Sequence, residues 1–151
     1  MTAPLLIFGW GNPSRGDDAL GPLFVERIAA MELPGVECLT DFQLQVEHAL
    51  DLHGRHRILF VDASLEAAAP FSIKRIAPAK DTSFSTHAMT PQAVLQVYVE
   101  LEDCDPPPTW LLAIRGNSFE LGENLGSAAQ QNLAAALAWV EEWISAESLP
   151  S

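Results

Sequence analysis

Short apolar runs separated by amphipathic segments, repeated along 151 residues, constrain this chain more than any other feature. Leu5 to Trp10, Val36 to Thr40, Ile58 to Asp62, Phe71 to Ala77 and Thr109 to Arg115 have strand length and are rich in apolar residues. A parallel sheet covered on both faces has strands of this kind. Between them, apolar residues recur every three or four positions: Leu20, Phe24 and Ile28; Val94, Tyr98 and Leu101; Leu133, Leu137, Val140 and Ile144. Each set is the stripe of a helix that buries one face. The expected fold is a three-layer α/β sandwich, with helices on both faces of a twisted, mostly parallel five-stranded sheet, and residues 1–151 forming one domain. Thr90-Pro91 supplies an N-cap followed by a first-turn proline, Pro22 suits the first turn of its helix, and a short further helix is expected at about Gln45 to Leu52.

Composition narrows the partners. An apolar content of 48% can bury a core without disulfides, and Cys38 and Cys104, outside any C-x-x-C spacing, are expected as reduced thiols. A net charge of -12 is the wrong sign for neutralising phosphates, so nucleic acid is excluded as an expected partner. No stretch approaches the roughly 20 apolar residues that cross a bilayer, and Met1 to Pro4 lacks a basic leader, so a soluble, cytoplasmic protein without a membrane partner is expected. Asp103 to Pro108 reads as a stiff surface connection, and Ala146 to Ser151 as a frayed tail.

The segment from Gly9 to Pro22, GWGNPSRGDDALGP, joins the first strand to the first helix. In an open α/β sheet such a loop lines the crevice where ligands bind. A dinucleotide loop is excluded, because Ser14 stands at the third glycine position and two carboxylates follow where pyrophosphate needs backbone donors. Asp17 and Asp18 can be helix-start acids, favoured by the helix dipole, or members of a site. Asp62 closes a second strand and can be either an N-cap or a ligand, but parallel strands open onto the same edge, so it would lie near Asp18. His87, in a polar loop before Thr90, can be a surface residue or a third donor. Two carboxylates and a neutral imidazole suit nickel, zinc or iron and leave positions open for a substrate group. His48, on the short second helix, and His53 and His56, by Gly54 and the arginines, are expected to be solvated. No G-x-S-x-G, H-E-x-x-H or Cys/His nucleophile pattern is present.

With those residues in place, the chain resembles the nickel-iron hydrogenase maturation proteases. Gly9, Gly11, Asn12, Asp17, Asp18 and Gly21 are similar to the family's glycine-asparagine loop with paired acids, and Asp62 and His87 follow in the family's order. The resemblance implies an endopeptidase, metal-dependent through its acids. It would remove the C-terminal extension of a [NiFe]-hydrogenase large-subunit precursor after nickel insertion. It also implies that Asp18, Asp62 and His87 form the catalytic and metal-recognising triad, and that the nickel is supplied by the substrate. Some members carry glutamate where this chain has Asp18. The segments Asp41 to Glu47 and Ile114 to Gly122 are similar to the branch that serves soluble, cofactor-reducing bidirectional hydrogenases. Two alternatives stand beside this reading: a nickel-dependent assembly factor without hydrolysis, and a peptidyl-tRNA hydrolase scaffold suggested by Gly11-Asn12-Pro13. The net acidity and the paired aspartates argue against the second.

Overall fold

The computed structural model describes residues 2–80 and 89–147. Five strands, β1 (Leu5–Trp10), β2 (Val36–Asp41), β3 (Arg57–Ser64), β4 (Phe71–Ile76) and β5 (Thr109–Arg115), form one sheet in the order β2-β1-β3-β5-β4. All pairings are parallel except that of β4 with β5, which makes β4 an antiparallel edge. Three α-helices, α1 (Leu20–Ala30), α2 (Pro91–Glu102) and α3 (Ser127–Glu147), cover its faces. The mostly parallel α/β sandwich expected from the apolar pattern is therefore the observed architecture.

Strand alternation divides the core in two. Leu5 and Ile7 of β1, with Leu59, Val61 and Ala63 of β3, pack beneath α1 and α3, where Phe24, Ile28, Leu133 and Val140 meet them. Leu6, Phe8 and Trp10, with Ile58 and Phe60, face the other way, toward Leu52, Val94, Leu95 and Tyr98. Period-two alternation puts Asp62 on this second face. The α1 stripe of Leu20, Phe24 and Ile28 is wholly buried. In α2, Val94 and Tyr98 are buried but Leu101 is 60% exposed, so the expected stripe is covered only over its first two positions. Thr90 caps α2 as expected, its Oγ1 accepting the N–H of Ala93 at 3.0 Å.

The expected second helix is corrected in type: Val46–Leu52 is a 3-10 helix. Its start is fixed by a reciprocal cap in which the Gln45 side chain accepts from the backbone of His48 while the ring of His48 accepts from the backbone of Gln45. A second 3-10 helix, Gly16–Ala19, runs straight into α1. Where α1 begins, backbone meets backbone. A Cβ on Gly21 would lie 2.4 Å from the Trp10 carbonyl and 3.0 Å from that of Val61, so the first helical turn can sit over the ends of β1 and β3 only without a side chain. Among the described residues, no helix is long and apolar enough to cross a membrane.

Candidate active site

The connection leaving β1 leads through α1 to β2 on one side, while the next strand, β3, lies on β1's other side. A crevice opens at such a switch point, outside the carboxyl ends of the diverging strands. Asp18 follows β1 and Asp62 lies near the carboxyl end of β3, so both line the β1–β3 opening. Asp62 is not an N-cap: β3 continues to Ser64 and the next element is β4.

The loop between β1 and the Gly16–Ala19 helix holds Asp18 from behind. Its Oδ2 accepts the N–H of Asn12 at 2.8 Å, while Asn12 Oδ1 accepts the N–H of Ser14 at 2.8 Å. Gly11, at φ +148°, brings its backbone so close to Asp18 that a Cβ there would lie 2.1 Å from the Asp18 carbonyl oxygen. Burial lifts the Asp62 carboxyl, and the negative charge of Asp18 lifts it further. The N–H of Ala63 offsets part of this, leaving its pKa at about 7 instead of 3.8. The charge of Asp18 therefore acts on a partly desolvated Asp62 carboxyl, which puts the two acids within electrostatic reach of each other.

His87 lies outside the described residues. The chain re-enters description at Met89, whose N–H donates to the Leu44 carbonyl at 3.2 Å. This places the approach to α2 beside the loop that follows β2. Among the described residues no group of three or more His, Cys, Asp or Glu is arranged to hold a metal.

Two features escape the sequence pattern. Asp17, adjacent to Asp18, is buried, and its carboxylate accepts backbone N–H groups from Asn117 (2.7 Å), Ser118 (3.3 Å) and Gly126 (2.9 Å). The Asp17 and Asp18 side chains therefore serve separate regions, a distinction that paired acids in sequence do not carry. His48, expected to be solvated, is buried: its Nδ1 accepts the N–H of Gln45 at 2.8 Å, its Nε2 lies 3.1 Å from Asp41 Oδ2, and its ring meets Phe8 edge-on. The available signal was the three-residue spacing from Gln45 to His48, which is capping-box spacing. His53 and His56 are exposed as expected.

An open, mostly parallel α/β sheet with a carboxylate pair at its switch point is the class of molecule that these observations define. No family model and no curated relative matches the sequence. Solved structures do. The hydrogenase maturating endopeptidase HybD from E. coli is 22% identical, with a TM-score of 0.71 over 95% of this chain and 93% of that one. The [NiFe] hydrogenase maturation protease HycI from Thermococcus kodakarensis is 22% identical, with a TM-score of 0.70 over 93% of this chain and 91% of that one. An endopeptidase from Escherichia coli, also 22% identical, has a TM-score of 0.73 over 96% and 94%. This likeness establishes a shared fold along nearly the whole chain.

Proposed function

We propose that this chain is a hydrogenase maturation endopeptidase. It removes the C-terminal extension of a [NiFe]-hydrogenase large-subunit precursor once nickel has been inserted. The observation that carries the reading is the convergence of Asp18 and Asp62 at the β1–β3 switch point, on a scaffold shared with solved hydrogenase maturation endopeptidases. The nickel is part of the substrate. Two carboxylates, with His87 assigned as the third donor, make an incomplete set that suits a borderline divalent ion already held by the substrate's own ligands. A precursor without the ion would lack that contact, so the enzyme would act only on loaded substrate. The segments Asp41 to Glu47 and Ile114 to Gly122 favour a soluble bidirectional hydrogenase as the partner.

The test is to incubate the purified protein with nickel-loaded and nickel-free precursor and to read peptide release by mass spectrometry. A C-terminal peptide should appear from the loaded precursor alone. Stable binding without release would make the protein an assembly factor instead. His87→Ala and Asp62→Asn should each abolish or strongly reduce processing, with circular dichroism confirming the fold. Full processing by His87→Ala would remove the metal-recognition assignment.

A further inference from the structure

The 3-10 helix that carries Asp18 is four residues long and holds little intrinsic order. Its N-cap residue Arg15 makes no side-chain cap, and within this turn the N–H of Asp18 bonds to the Arg15 carbonyl at 3.0 Å. A segment this short takes its orientation from what it is packed against. Successive residues of a 3-10 helix point about 120° apart, so Asp17 and Asp18 project in different directions from one rigid turn.

What Asp17 meets is a clasp. Its carboxylate binds Asn117, Ser118 and Gly126, and its own N–H donates to the Ser118 carbonyl at 2.8 Å. Around it, the N–H of Gly16 donates to Glu123 at 3.2 Å and that of Gly122 to Ser14 at 2.7 Å, so the loop between β5 and α3 is bonded along the β1 loop. Gly126 immediately precedes α3, which adds the positive end of that helix to the socket. Gly116 leaves room for it, since a Cβ there would lie 2.8 Å from the Asp17 Cβ. Among the described residues, no Lys, Arg or His side chain pairs with Asp17, so backbone dipoles alone hold its charge.

We infer that Asp17 is a positioning residue. By locking the Gly16–Ala19 turn to the β5–α3 loop, it fixes the direction in which Asp18 presents its carboxylate to the β1–β3 crevice. The inference rests on the function proposed above for its kinetic consequence, but not for its structural one. The N–H of Asn12, bonded to Asp18 Oδ2, reports the orientation of Asp18 without any substrate.

The experiment compares wild type, Asp17→Asn and Asn117→Pro, which breaks the clasp from the loop side and leaves every crevice side chain in place. Val140→Ala provides a control whose lost stability comes from the core under α3. Amide exchange by NMR, well below each melting temperature, should show Asn12 losing about tenfold or more of its protection in both clasp variants and keeping it in Val140→Ala. On loaded precursor, kcat should fall about 100-fold in the clasp variants with KM nearly unchanged, as expected for a misplaced reacting group. If Asp17→Asn does not fold, Asn117→Pro carries both readouts. Wild-type protection of Asn12 in the clasp variants would overturn the inference and reduce Asp17 to an anchor for the loop. If wild type cuts nothing, the proposed function fails, while the Asn12 measurement still decides the positioning role.

Discussion

Asp17 and Asp18 are neighbours with the same chemistry, yet they belong to regions built on opposite principles. Around Asp17 three backbone donors converge on two carboxylate oxygens in a closed socket. Around Asp18 the donor supply among the described residues is thin: one backbone N–H from Asn12, with another carboxylate, Asp62, near enough for its pKa to be raised by the Asp18 charge. A buried charge whose hydrogen bonds are complete stabilises the fold and has little left to offer a ligand. A carboxyl that is desolvated beside a second carboxylate is instead held at a cost to the fold, which its raised pKa records. The comparison separates an acid enclosed by backbone donors from one left near a second carboxylate.

The largest effect should come from opening the closed region. Asp17→Ala leaves three N–H groups without their acceptor, and a loss of about 3–5 kcal/mol is expected in denaturant unfolding. A loss below about 1 kcal/mol would mean that water reaches the socket, and the contrast between the two regions would fail.

Next comes a gain. The Asp62 carboxyl titrates at about 7 in the fold, against 3.8 as its ordinary value, so the native state holds its proton more tightly than the unfolded chain. The stability associated with that proton is fully present below pH 4 and is lost as pH rises to about 7. Asp62→Asn removes this dependence. It should therefore be more stable than wild type at pH 8, by about 2 kcal/mol, with the advantage shrinking toward pH 5. Melting curves at the two pH values check the sign. A variant that is less stable than wild type at pH 8 would show that the carboxylate pair is not under strain.

Smaller effects mark the periphery. His48→Ala removes a buried ring, the acceptor for Gln45 and the partner of Asp41, and should cost about 1–2 kcal/mol by chemical denaturation. His53→Ala and His56→Ala lie on exposed surface and should stay within about 0.5 kcal/mol in the same assay, with processing unchanged. Asp18→Glu sharpens the functional side. The added methylene should leave the fold intact and processing partial, measured by peptide release, because only the reach into the crevice changes.

Read from its residues alone, the chain already specified the layered α/β fold, because the strand runs and helix stripes are local periodicities that hold wherever the segment packs. The loop after β1 was legible from its residue types, glycines, Asn12 and paired acids between a strand and a helix, whereas Asp62, read as closing its strand, stands two positions before β3 ends at Ser64. The expectation for His48 failed because exposure is not a local property. It stands seven positions from Asp41, and only the return of the chain beneath Phe8 buries the ring. The division between Asp17 and Asp18 was hidden for a stronger version of that reason. Asp17's partners lie 100, 101 and 109 positions away. They are backbone amides, which any residue except proline would supply equally well and which therefore leave no mark on the sequence. Sequence periodicity determined which segments would form strands and helices and where acids would stand along the chain. Tertiary packing decided which acid is enclosed by the fold and which is left with fewer backbone partners, because that depends on how many distant donors the folded backbone brings to each one.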